Sequence, residues 1–200
     1  MIGFRGASRY FHEAYREGFA LECQALKRVR EEMGLTNVIV MVPFCRTIGE
    51  AERVQEEMAR HGLRRGEQGL KLYVMCEIPA NVLLVDLFAR HFDGFSFGSN
   101  DLTLLVLGVD RDSEILGQVF DERDPAVRKA LLQAVEGAHA ADRPIGICGQ
   151  APSDHPAIAE LLVQAGIDSL SLSTDVAVRT RLRIAEVERQ LGITPSRETS

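Results

Sequence analysis

The sequence predicts an α/β protein of the (β/α)8, TIM-barrel type, incomplete, with about five or six β/α units. Short β-branched apolar runs alternate with amphipathic stretches at the spacing of strand–helix units. The runs are short and mainly apolar, as buried strands of a parallel sheet are. Polar, chemically capable side chains gather at the carboxyl end of each run: Arg46, Glu77, Asn100 with Asp101, Cys148 and Ser173. Such a pattern also permits an open doubly wound sheet, but that fold concentrates its site at one switch point. Convergence of many strand ends on one rim favours the barrel. A complete barrel takes about 250 residues, so this chain of 200 reads as about two units short.

Taken in order, the first amphipathic stretch runs from about Phe11 to Met33, with Tyr15, Phe19, Cys23, Leu26, Val29 and Met33 on one helical face and Gly34 as a stop. A further strand is possible earlier, at Gly3 to Ala7. Val38 to Pro43 is too short and too β-branched for a helix and reads as a buried strand. Thr47 followed three residues later by Glu50 has the form of a capping box and opens a helix to Gly62. Strands follow at Leu70 to Glu77 and Gly94 to Gly98, with a helix from about Ala80 to Arg90 between them. After an acidic loop, Asp124–Pro125 supplies an N-cap and first-turn proline for a helix reaching Ala141. Strands at Pro144 to Cys148 and Ser169 to Ser173 flank a helix from Asp154 to Ala165. Thr174 caps the closing helix, to about Leu191. The domain spans residues 1–194, with a polar tail at 195–200.

Composition sets outer limits. With 46% hydrophobic and 26% charged residues, the chain has the make-up of a globular protein. A formal charge of −6 argues against a nucleic-acid partner, which needs clustered Lys and Arg. No apolar run suits a membrane span, and the start lacks a secretory hydrophobic region, so a cytoplasmic protein is expected. Cys23, Cys45, Cys76 and Cys148 show no zinc spacing and fit free thiols in a reducing compartment. Cys23, within a helical apolar stripe, reads as a buried hydrophobe.

Glu77 is the first carboxylate aimed at the predicted rim, although a lone Glu at a strand end is more often a solvated edge charge. The run Gly98–Ser99–Asn100–Asp101 places a turn, a hydroxyl, a carboxamide and a carboxylate directly after an apolar strand. Packing those groups there is costly unless they bind something. Carboxylates from adjacent strand ends form half of an octahedral Mg²⁺ site, substrate oxygens and water supplying the rest. Alternatively Asp101 simply caps the segment that follows. Arg5, between Gly3 and Gly6, and Arg111 each offer a planar fork for phosphate or carboxylate, though Arg111 sits between Asp110 and Asp112 as a surface ion-pair member would. Cys148 at a rim near a metal and arginines suits proton transfer at carbon, against the default of a structural thiol.

Gly3–Phe4–Arg5–Gly6, Met75 to Pro79, Phe95 to Thr103 and Gly146 to Gln150 together resemble, in order and in spacing, the carboxyl-terminal barrel of the phosphoenolpyruvate-utilising enzymes. Val42 to Thr47, Phe120 to Pro125 and Gly149 to Asp154 look most like the synthase branch of that group. The resemblance implies that Glu77 and Asp101 bind Mg²⁺. It also implies that Arg5, Asn100 and Arg111, with Gly98 and Ser99 beside them, hold the phosphoryl group and substrate, and that Cys148 moves the proton at the methyl carbon of pyruvate. In such enzymes the phosphoryl group arrives on a histidine of a swivelling domain charged by a separate ATP-binding domain. Neither is present here, and none of His12, His61, His91, His139 or His155 has that context. The family barrel also begins upstream of the Arg5 motif, so the chain reads as truncated on its amino-terminal side, and open sheet edges then predict a homo-oligomer. Leu104 stands where the family commonly has Gln. A magnesium-dependent carbon–carbon lyase of the citrate lyase β-subunit type and a non-catalytic assembly remnant are the other two readings.

Overall fold

The computed structural model describes residues 3–193, so the expected tail at 195–200 lies outside them. Among the described residues, five strands form one sheet in the order of the sequence: β1 (Val40–Val42), β2 (Leu72–Cys76), β3 (Gly94–Phe97), β4 (Ile145–Ile147) and β5 (Ser169–Leu170). Every neighbouring pair is parallel. A doubly wound sheet reverses its order at a switch point; this one never does, which is the connectivity of a (β/α) barrel.

The helices are α1 (Ala7–Tyr10), α2 (Arg16–Lys27), α3 (Ile48–Arg60), α4 (Pro79–Leu83), α5 (Val85–His91), α6 (Ser99–Leu107), α7 (Pro125–Ala140), α8 (Ala151–Asp154), α9 (Pro156–Gln164) and α10 (Thr174–Gln190). Helices α3, α5, α7, α9 and α10 touch one another in succession, forming one layer rather than two. Strand register explains what they cover. Val74 and Cys76 pair across to Phe95 and Phe97, and these to Ile145 and Ile147; all, with Leu72, are buried with Phe88, Leu131 and Ala134 of the helices. The alternate positions Met41, Tyr73, Met75, Ser96, Gly146 and Ser169 line the opposite face, where Tyr73 lies across Gly94.

Three expectations change. Gly3 to Ala7 is not a strand: Gly3 and Gly6 take positive φ values of 138° and 61°, and Ala7 already begins α1. The first long helix starts later and ends in a π turn at Arg28–Glu32, so the buried side chain there is Arg30, which donates to the carbonyls of Thr36, Val38 and Gln68, while Met33 is exposed. Thr174 does not cap α10; Ser173 occupies the N-cap position, without a side-chain cap.

Candidate active site at the strand ends

Thr47 builds the first wall. Its Oγ accepts from Glu50 N at 3.1 Å, capping α3 immediately after the β1 turn. In that turn Phe44 holds a left-handed backbone, φ 47°, an uncommon conformation for a bulky residue. Its N–H thereby donates to Glu77 Oε1 at 2.6 Å. Glu77 leaves β2 at its carboxyl end and is only 4% exposed. Asn81, fully buried in α4, fixes this exit: Oδ1 accepts from Ile78 N at 3.1 Å, and Nδ2 donates to Cys45 O at 2.8 Å.

Burial pushes the Glu77 carboxyl up to about 7, partly offset by the Phe44 N–H and reinforced by the charge of Asp101, with which it is in hydrogen-bonding contact. Asp101 lies in the first turn of α6, an element absent from the sequence reading. It does not cap that helix, whose N-cap is Gly98 with no side-chain cap. Its two oxygens instead accept from Arg5 Nη1 and Nη2, each at 3.1 Å, the two-point geometry of an Arg–carboxylate fork.

Gly98 joins the acids to the thiol. A side chain there would strike Glu77 Oε2 at 2.6 Å and Met75 Cε at 2.8 Å. Met75 Sδ is in turn 3.7 Å from the exposed thiol of Cys148, whose Sγ also reaches Phe97 O at 3.4 Å. Cys23, Cys45 and Cys76 are buried, and burial pushes their thiols up, to about 11 for Cys23 and about 12 for the other two. The loops after β3 and β4 are cross-linked. Ser99 Oγ accepts from Ala151 N at 3.3 Å, Gly149 packs against Ser99, and Asn100 Nδ2 donates to Gln150 Oε1 at 3.4 Å.

The structure thus brings Arg5, Glu77, Gly98, Ser99, Asn100, Asp101 and Cys148 to one rim. Arg111 stands apart in the loop after α6, half exposed and paired with Asp112 at 3.6 Å. Sequence reasoning missed Asn81, the Phe44 turn and Glu122. The last is 4% exposed, with Oε1 unpartnered among the described residues. Burial pushes its carboxyl up, against a hydrogen bond from Ser99 and the nearby His155. Its acidic place in the Phe120 to Pro125 run was the one available signal.

No group of three or more His, Cys, Asp or Glu side chains among the described residues forms a metal cluster. The donor set is therefore two carboxylates, one deeply buried. That suits a hard cation taking its other ligands from substrate and water, so the residues fit Mg²⁺.

Fold and site together define an α/β-barrel protein with an acid, arginine and thiol constellation at the carboxyl ends of its strands. A solved structure with the same fold is an HpcH/HpaI aldolase/citrate lyase family protein from Burkholderia cenocepacia, with a TM-score of 0.51 and 19% identity, over 76% of this chain and 65% of that one. The chain belongs to the PEP-utilising enzymes: their PEP-binding domain matches residues 1–189. It is 62% identical over 192 residues to a phosphoenolpyruvate synthase of Synechocystis sp., covering 96% of this chain and 24% of that protein. It is 54% identical over 189 residues to the Escherichia coli phosphoenolpyruvate synthase, covering 94% and 24%. Aquifex aeolicus has a phosphoenolpyruvate synthase 52% identical over 193 residues, with 96% and 22% covered. The chain spans about a quarter of the length of these curated relatives. No helix among the described residues is long and apolar enough to cross a membrane.

Proposed function

We propose that this chain is the pyruvate- and phosphoenolpyruvate-binding part of a cytoplasmic phosphoenolpyruvate synthase, a pyruvate, water dikinase. It receives a phosphoryl group from a phosphohistidine on a domain outside this chain, itself charged by an ATP-binding domain. The observation that carries this reading is the meeting of Arg5, Asp101 and Glu77 at the ends of β2 and β3, with Cys148 one strand away. Glu77 and Asp101 would hold Mg²⁺, which when bound supplies positive charge to the carboxylate and carbonyl oxygens of pyruvate.

Each residue then has a task. Cys148 takes the proton from the pyruvate methyl carbon, and the electron pair released from that C–H bond passes to the carbonyl oxygen, giving the enolate. The enolate oxygen bonds to phosphorus as the phosphorus–nitrogen bond of the phosphohistidine breaks. Arg5, with Asn100 and Ser99 beside it, neutralises and orients the transferring group; Arg111 joins them when its loop closes over the anion. In the reverse direction Cys148 returns the proton to carbon.

Arg5 now occupies both oxygens of Asp101. An anion that draws Arg5 away frees that carboxylate for the cation, so anion and cation each tighten binding of the other. Isothermal titration with oxalate or phosphoenolpyruvate tests the reading: heat is expected only with Mg²⁺ present, and is lost in Glu77→Gln and Asp101→Asn. Absence of binding by the unaltered chain sinks it. The likeness to an aldolase/citrate lyase family protein concerns the fold, so turnover of an acyl-coenzyme A substrate is what would promote the lyase reading.

A further inference from the structure

Arg46 lies at the rim yet has no part in the proposed reaction, and its donors are already committed. Nη1 reaches Arg5 O at 3.2 Å, Ser8 Oγ at 3.1 Å and Glu50 Oε1 at 3.4 Å, and Nη2 donates to Gly3 O. Its own backbone N–H donates to Glu50 Oε2 at 2.7 Å, so one carboxylate fixes both ends of the residue. Three acceptors on the Gly3 to Ser8 stretch are thus gathered by one planar fork.

That stretch needs such a clamp, because residues 3–6 form neither strand nor helix. Two further contacts seat it on the β1 turn. Ala7 N donates to Pro43 O at 3.1 Å, and Gly6, φ 61°, lies so close to Pro43 and Phe44 that no side chain would fit. Two guanidinium groups lie against the Phe44 ring, with Arg5 Cζ 4.2 Å and Arg46 Cζ 4.7 Å from its centre. The turn that aims an N–H at Glu77 therefore also carries the stack that aims Arg5 at Asp101.

Resting on the proposed function, we propose that Arg46 is a positioning residue for phosphoryl recognition: it holds the Gly3 to Ser8 segment so that the Arg5 guanidinium is presented to the phosphoryl group. It acts through Arg5, since its terminal nitrogens are spent on the chain itself. At metal sites the loss of a contact that orients a binding group typically costs about 10- to 100-fold in metal affinity or activity, and a loss of that order in phosphoenolpyruvate affinity is expected here. Lysine keeps the charge and the Glu50 pair but has no fork to span three acceptors.

The test is calorimetric titration of the whole 200-residue chain with phosphoenolpyruvate and, separately, oxalate, in Mg²⁺. Arg46→Ala, Arg46→Lys, Arg5→Ala and the Arg5→Ala/Arg46→Ala double variant are compared with the unaltered chain. Phosphoenolpyruvate is expected to bind about 10-fold or more weakly to both Arg46 variants, while oxalate, which has no phosphoryl group, binds nearly as before. The double variant is expected to bind no more weakly than Arg5→Ala, because the two residues act as one unit. Equal losses for both ligands, additive losses in the double variant, or unchanged phosphoenolpyruvate affinity each overturn the proposal. Arg46→Lys carries the comparison if the alanine variant fails to fold. An unaltered chain that binds neither ligand overturns the functional reading instead. Amide exchange at residues 3–8 of ligand-free protein then decides the clamp alone: faster exchange in Arg46→Lys supports it, and unchanged exchange refutes it.

Discussion

At Gly98 the room for a side chain is already taken, by Glu77 Oε2 and Met75 Cε. The backbone there, φ −98° and ψ 85°, lies outside the left-handed region, so the cost of Gly98→Ala is crowding rather than strain. Glu77 cannot simply swing aside, since the Phe44 N–H holds its other oxygen. Gly98→Ala is expected to lower stability by about 1–3 kcal/mol and to abolish Mg²⁺-dependent oxalate heat; an unchanged isotherm refutes the close-packed rim. Glu122 makes a different prediction. Its folded-state pKa is raised by burial, so the stability it contributes is fully present below the unfolded value of 4.5 and is lost as pH rises through the folded value. Glu122→Gln keeps an acceptor for Ser99 and removes the titration. Thermal unfolding followed upward from below pH 4.5 should therefore fall more steeply in the unaltered protein than in the variant, and parallel curves would show that Glu122 ionises as freely folded as unfolded.

Helix α7 tests how far local signals determine an element. Asp124 Oδ1 accepts from Ala126 N at 2.7 Å, and Pro125 fills the first helical position, as the Asp–Pro pair predicts. Asp124→Ala should cost about 1 kcal/mol, read as a lowered midpoint in urea with unchanged slope, whereas no shift would mean tertiary packing alone sets the helix start. Other elements were less visible. The five strands could be read because each is a short run, mainly apolar in β1 to β4 and alternating Ser with Leu at β5. Helix α6 could not, because its first turn is the polar run Ser99 to Asp101, which reads as a loop, and the apolar stretch left from Leu102 to Leu107 is too short to show a helical period. The helix expected from Ala80 breaks at Leu84, φ −121°, into α4 and α5. Glu77, Asp101 and Cys148 were legible because strand ends are positions in the sequence. The Phe44 turn, Asn81 and the Arg46 fork depend on partners 33 to 43 residues away, and no local pattern carries that.

Across the whole molecule, the sheet has helices on one face and two strands, β1 and β5, at its edges. Parallel sheets are ordinarily covered on both faces. Here the second face carries Met41, 37% exposed, with half-buried Tyr73 and Met75 and the small residues Ser96, Gly146 and Ser169. Small and medium side chains alternating in this way suit the interior of a closed barrel, where opposite strands bring their own layers. An edge with open N–H and C=O groups beside an apolar face is a template for another chain. The isolated chain is therefore expected to associate, and light scattering should give a mass that rises with concentration above the 22.1 kDa of one chain. Met41→Lys puts a charge at the middle of the edge strand β1, on that open face, and should move the population toward single chains without affecting the helix-covered core. A constant mass of 22.1 kDa at every concentration would mean that the edges and the second face are satisfied within one chain.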